Sequence, residues 1–176
     1  VSLNGTAVAN FASANVGNGK SVNVSGYTLT GSLAGNYTLT QPNGLTANIT
    51  KASLTVSGIT ANNKVFDRTK TATLSGTAVL SGLASTDVSS VSLGGTPVAL
   101  FNDSTVANNK PVTVTGYTVS GTAVGNYDFS QPTGLTANIT QASQTITFNS
   151  IPVKSTGDAN FKLTATATSS LPVSYT

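Results

Sequence analysis

Hydrophobic and polar residues alternate along almost the whole chain. Val22 and Val24 alternate with Asn23 and Ser25, Tyr27 and Leu29 with Thr28 and Thr30, and Tyr37 and Leu39 with Thr38 and Thr40. Leu45, Ala47 and Ile49 alternate with Thr46, Asn48 and Thr50. Successive side chains of a strand point to opposite faces, so each run puts an apolar row inward and a Thr/Ser/Asn row outward. Between the runs stand Gly17-Asn18-Gly19, Gly35-Asn36 and Gln41-Pro42-Asn43-Gly44. These residues supply positive φ or a fixed turn geometry. Short strands at intervals of about 8–12 residues with such turns predict an all-β sandwich or barrel. No 3.6-residue pattern is present, so almost no helix is predicted.

The runs also recur at long range. GYTLTGSLAGNYTLTQPNGLTANIT, residues 26–50, returns as GYTVSGTAVGNYDFSQPTGLTANIT, residues 116–140, at an offset of 90 with no gap. The match extends from Val1/Val91 to Ser53/Ser143, and about 31 of those 53 aligned positions are identical. Such self-similarity marks an array of like modules. Residues 1–53 read as the C-terminal part of a first repeat and 54–143 as a complete repeat of about 90 residues. In the first part of the complete repeat, Leu54 to Val56, Val65 with Phe66, Ala72 to Leu74 and Val79 with Leu80 are the expected core contributors. Residues 84–90 form a polar loop. The stretch 49–53, echoed by 139–143, is the junction, and so short a link favours a semi-rigid rod. From Gln144 the pattern still alternates, at Ile146 and Phe148 and again from Phe161 to Ala167, but departs from the repeat. Residues 144–176 read as the N-terminal part of a different β repeat. Together with 1–53 they make 86 residues, close to one period, so the end of one copy is also a candidate to complete the start of the next.

Charge is sparse, at 7% of residues against roughly 25% in an ordinary soluble domain. Thr, Ser, Asn and Gly take its place. The formal charge of +3 comes from scattered lysines and one loose group, Lys64, Arg68 and Lys70. A nucleic-acid footprint is a dense basic stripe with stacking aromatics, so no nucleic-acid partner is expected. No apolar run nears the ~20 residues of a membrane helix, so no membrane insertion is expected in this segment. Glu, His, Cys, Met and Trp are all absent. Catalysis needs a group that titrates or attacks near neutral pH, and the five carboxylates (Asp67, Asp87, Asp103, Asp128 and Asp158) are far apart in sequence. No enzyme, no catalytic residue and no cofactor is therefore expected. A calcium site wants clustered Asp, which the chain lacks, so no metal ligand is assigned. A Lys–Asn isopeptide cross-link is rejected, because Lys20/Lys110 and Asn36/Asn126 recur without a repeated Asp.

The remaining candidates for chemistry are the paired tyrosines, Tyr27 and Tyr37, recurring as Tyr117 and Tyr127. Exposed on a β face they are ligand-facing residues for a glycan. Buried, they are core or corner anchors with the hydroxyl bonded to backbone.

One set of residues carries a family resemblance. After the lead strand come Lys64-Val65-Phe66-Asp67-Arg68-Thr69, then TATLSG, residues 71–76, and then the repeated GYT…GNY…QP.GLTANIT stretch. This resembles the YDG-type repeat and the related mostly-β, glycine-rich repeats. These occur in very large bacterial secreted proteins, including filamentous-haemagglutinin-like adhesins exported by two-partner systems. The tail from Gln144 resembles the opening of a bacterial immunoglobulin-like repeat. Phe66 stands where the resemblance has Tyr, and Arg68 where it has Gly. If that glycine takes positive φ, Arg68 costs about 1 kcal/mol. The resemblance implies tandem immunoglobulin-like β-sandwich modules, with another small β topology as the alternative. It implies structural spacer or stalk repeats of an extracellular or cell-surface adhesin, partnered by neighbouring repeats of the same chain. Two other functions are carried forward. One is a filament subunit that pairs strands or module ends with other copies of itself, and the other is a weak repeated binder of host or surface glycans.

Overall fold

The computed structural model describes residues 1–175. Its strands are β1 (Ser2–Asn4), β2 (Val8–Phe11), β3 (Gly17–Ser25), β4 (Thr28–Thr30), β5 (Leu45–Ile49), β6 (Ala52–Ala61), β7 (Lys64–Val65) and β8 (Thr71–Ala72). They continue as β9 (Leu74–Ser81), β10 (Ser92–Phe101), β11 (Ala107–Ser120), β12 (Tyr127–Phe129), β13 (Thr136–Thr140), β14 (Ile146–Phe148) and β15 (Ala165–Ala167). The chain is mostly β, as the alternation predicts. Helix among the described residues is limited to three short 3-10 turns, Ala34–Asn36, Ser85–Asp87 and Val124–Asn126. The second lies inside the expected polar loop.

The complete module spans β6 to β13. A three-stranded sheet, β12–β6–β9, faces a five-stranded sheet, β7–β13–β11–β10–β8. One core joins them: Val56 of β6 packs with Phe101 of β10, Val114 and Tyr117 of β11 and Ile139 of β13. A second cluster, Leu54, Val91 and Tyr127, closes one end. Leu54, Phe101, Val114 and Ile139 are fully buried, and each such side chain contributes about 1.5–3 kcal/mol. Two expected core residues face solvent instead, Val65 and Val79. Each is followed directly by a half-buried apolar residue, Phe66 and Leu80, and neighbours along a strand point to opposite faces.

The β10/β11 pair bends sharply over the core. Its register shifts between Gly95 and Val98, a bulge that adds twist. Gly95 and Gly116 face each other there at φ 93° and 90°. A Cβ on Gly116 would lie 2.3 Å from the Thr96 carbonyl oxygen, so the bend tolerates no side chain. The same device breaks the first copy into β1/β2 and β3/β4 at Gly5 and Gly26.

The first repeat keeps the register of the second. Val8 pairs with Ser25 and Phe11 with Val22, and 90 residues on Val98 pairs with Thr115 and Phe101 with Val112. Gly17 pairs with Ile49 and Lys20 with Ala47, as Ala107 pairs with Ile139 and Lys110 with Ala137. Residues 1–50 thus repeat the strand pairing of residues 91–140. In the C-terminal segment, β14 pairs antiparallel with β15. These strands fall 90 residues after parts of β6 and β9, which also pair antiparallel.

Two pairings were not visible in the alternation. β6 runs parallel to β12, with Ala52 opposite Tyr127, and β7 runs parallel to β13, with Lys64 opposite Ile139. The first and last segments of the module, 52–65 and 127–140, therefore run side by side in one direction. The chain enters the module at one pole and leaves it at the other.

Candidate functional site

The four tyrosines fall in two environments. In the complete module Tyr117 and Tyr127 are core residues, 9% and 6% exposed. Tyr127 lies against β6, and its hydroxyl accepts from the Ala84 N–H at 3.1 Å and donates to Asp87 Oδ2 at 2.8 Å. The Ala84 N–H favours the phenolate, but the bond to Asp87, burial and the charge of Asp87 outweigh it and hold the hydroxyl above its ordinary pKa. Tyr127 has the environment of the anchor alternative, and Tyr117 is a core residue. In the first repeat Tyr27 is half-buried and Tyr37 is 63% exposed. They line one cleft of about 440 Å³ together with Leu29, Leu39 and Gln41. Residues 37–39 are not a strand, because among the described residues no strand lies beside them as β6 lies beside β12.

A glutamine explains the Gln-Pro of the repeated motif. Gln131 accepts from the Tyr117 N–H at 3.1 Å and donates to the Tyr117 carbonyl at 2.8 Å. Gln41 does the same for Tyr27 at 3.2 and 2.8 Å. The side-chain amide pairs with the backbone as a neighbouring strand would, just beyond the glycine bend.

The segment Lys64-Val65-Phe66-Asp67-Arg68-Thr69 builds a closed polar loop. Lys64 Nζ donates to Asp67 Oδ1 at 2.7 Å, to the Thr69 carbonyl at 2.7 Å and to Thr69 Oγ1 at 3.0 Å. Asp67 Oδ1 also accepts from the Thr69 N–H and hydroxyl, each at 2.9 Å. The bond from Lys64, then those from Thr69, hold the Asp67 carboxyl down at about 2. The Lys64 ammonium also sits 5.6 Å from the Phe101 ring centre, a cation–π contact. Arg68 takes φ 67°, so the glycine of the resemblance does stand at a left-handed position.

A second loop of the same design was missed in the sequence. Lys110 is 5% exposed, and its Nζ donates to Asp103 Oδ1 at 2.6 Å and Thr105 Oγ1 at 3.2 Å. Asp103 also accepts from the Thr105 N–H at 2.8 Å and from its hydroxyl. The bonds from Lys110 and Thr105 hold its carboxyl far below the usual carboxylate range. The sequence did carry a signal, since Lys110 shares the inward phase of Val112 and Val114. In the first repeat Ser13 replaces Asp103, and Lys20 Nζ donates to Ser13 Oγ at 2.6 Å.

Asp128 lies 3.4 Å from Lys51, and Asp158 accepts from the Ser155 N–H at 2.8 Å. Every aspartate thus has a structural partner. Among the described residues no cluster of metal-ligating side chains is present, and no helix is long and apolar enough to cross a membrane. Across the junction, Asn126 Oδ1 accepts from the Val16 N–H at 3.0 Å and Asn126 Nδ2 donates to Asn15 Oδ1 at 3.3 Å. The site of interest is therefore a set of fasteners within and between modules.

A family model for the YDG domain matches residues 1–44 and 50–134. The chain belongs to the YDG domain family. The first block stops before β5, and the second starts two residues before β6 and takes in the lead strand, the 64–69 loop and the repeated half as far as residue 134. No curated protein and no solved structure matches the chain.

Proposed function

We propose that these YDG modules are non-catalytic spacers of a bacterial cell-surface or secreted adhesin, tandem immunoglobulin-like sandwiches that hold a binding region away from the cell. One observation carries this reading. The first and last segments of the module are parallel, so the chain passes from pole to pole and successive modules add length. Two residues, Thr50 and Lys51, separate β5 from β6, and Asn126 reaches back across the junction, so neighbours lean on each other as in other repeat arrays. Small-angle X-ray scattering over a concentration series tests it. A compact body of this length has a radius of gyration near ~16 Å. The spacer reading expects a clearly larger, concentration-independent value, and a compact value sinks it.

A second reading is supported by the open position beside 37–39 and by the exposed Ile146 and Phe148 of β14. In it, a lead pair from one chain completes the half-module of another and builds an extracellular filament. Apparent mass rising with concentration in the same scattering series favours it. The cleft of Tyr27 and Tyr37 supports a third reading, a weak glycan site. It requires ring exposure that Tyr117 and Tyr127 do not have, and glycan-array binding by the complete module tests it.

A further inference from the structure

We propose that the parallel segments 52–65 and 127–140 are a shear clamp that resists pulling force, and that the 64–69 loop of the YDG motif is its fastener. The proposal deepens the spacer reading by adding a function under tension, but its test does not depend on the shape of the array.

In a chain pulled at both ends, tension enters the module near residue 52 and leaves near 140. It draws the two parallel segments past each other along their own length. Hydrogen bonds across such a pair lie crosswise to the pull and are loaded together, whereas a hairpin pulled from its open end loses them one at a time. The segments are bonded at both poles. At the first, Ala52–Leu54 pair with Tyr127–Phe129, and the Ser130 N–H donates to the Leu54 carbonyl at 2.9 Å. At the second, Lys64 and Val65 pair with Ile139 and Thr140, and the Phe66 N–H donates to the Thr140 carbonyl at 2.8 Å. There the Asn138 N–H also donates to Asn63 Oδ1 at 2.7 Å. Leu54 and Ile139 are fully buried beside these bonds, which keeps competing water away.

Strand β7 is only two residues long and would fray if left to itself. The loop prevents this. Lys64 is tied at once to Asp67 and to the Thr69 backbone, so the loop holds Lys64, Val65 and Phe66 in the shape that bonds Ile139 and Thr140. This gives the motif residues a mechanical role at the exit strand.

The chain has no cysteine, so handles can be set at chosen positions for single-molecule force spectroscopy. The pair Thr50→Cys and Gln141→Cys loads the clamp in shear. The pair Ser92→Cys and Ser120→Cys, directly opposed in β10/β11, opens that hairpin from its free end. The expected result is a rupture force several-fold higher in the first geometry, with roughly 300 Å of released length per module. Asp67→Asn, which removes the ion pair and leaves Lys64 only its bonds to Thr69, is expected to lower the force in the first geometry and leave the second nearly unchanged. Equal forces in the two geometries, or an Asp67→Asn loss of the same proportion in both, overturn the proposal. The comparison of geometries stands even if the variant fails to fold. Failure of the rod in scattering leaves it untouched.

Discussion

Gly116 and Gly134 belong to the same module and both take positive φ, 90° and 78°. They differ in what surrounds them. A Cβ on Gly134 meets nothing within 4 Å, whereas one on Gly116 lies 2.3 Å from the Thr96 carbonyl oxygen and 3.4 Å from Pro97 Cα. Replacing each by Ala therefore separates the cost of a left-handed backbone from the cost of a steric overlap. Gly134→Ala carries the first alone, about 1 kcal/mol. Gly116→Ala carries it too, and the overlap is with backbone that cannot swing away. Relief requires shifting β10 against β11 at the bulge, and a locally strained or broken pairing adds about 1–3 kcal/mol. The total is roughly 2–4 kcal/mol, or a fall in Tm of about 10–30 °C for a domain of this size.

Thermal unfolding followed by far-UV circular dichroism gives the global transition. With no tryptophan in the chain, tyrosine fluorescence, summed over the five tyrosines, gives a second probe of the same transition. The expected order is wild type, then Gly134→Ala, then Gly116→Ala, with the last gap at least as large as the first. Equal losses at the two glycines would refute the claim that close approach of the strands, rather than φ, demands a glycine at 116.

Asp103→Ser should lower Tm more than Lys110→Met does, because the first strands an ammonium that is almost wholly buried while the second frees a half-exposed carboxylate to water. The double change should recover most of the loss in the same melts, and additive losses would contradict the pairing. Tyr127→Phe leaves the Ala84 N–H without its acceptor and should cost about 5–10 °C in Tm, and an unchanged Tm would deny the anchor role. Arg68→Gly removes a left-handed non-glycine residue and should gain about 1 kcal/mol in urea unfolding, and a loss would show that the Arg68 contact with the Ser169 carbonyl outweighs the strain. Stability should be flat between about pH 5 and 8, where no side chain of this composition titrates. Asp67 and Asp103 have folded pKa values below the ordinary 3.8, so their contribution is present above that pH and is lost as pH falls toward about 2. The raised Tyr127 works in the opposite direction, contributing fully below its ordinary 10.0 and losing that contribution as pH climbs past its folded value. A melt series from pH 2 to pH 11 checks both limbs, and a drop between pH 5 and 8 would contradict them.

Much of the fold was legible because alternation reports faces directly. Val112 and Val114 are buried as their phase predicts, Tyr117 begins a new phase beyond the positive-φ Gly116, and the 90-residue offset returns the same register at Phe11/Val22 and Phe101/Val112. Strand direction was not legible, since a period of two is the same for parallel and antiparallel neighbours. The β6/β12 and β7/β13 pairs, which decide where the chain enters and leaves, escaped for that reason. Among the candidate site residues, the two tyrosine roles stood as alternatives until β6 was seen beside Tyr127. Lys110 was hidden by its chemistry: an inward lysine breaks the apolar row, and only the Asp-Ser-Thr at 103–105 tells that its charge is met.

The two copies of Gly-Asn-Tyr show where the unit of folding lies. At 125–127 the tyrosine opens β12 and is buried. At 35–37 the same three residues close the same 3-10 turn, yet Tyr37 is exposed and no strand forms. Local sequence is identical, so the difference is tertiary: β12 exists because Ala52–Leu54 lie beside it. The repeated half therefore sets register and turns by itself but acquires its second sheet only from a lead segment. That lead segment begins two residues after the preceding module's last strand, so the backbone that completes one module is anchored to the module before it. Stability should then pass from neighbour to neighbour along the array, and a module's weakest point is the short β7 that ties its exit strand to its lead segment.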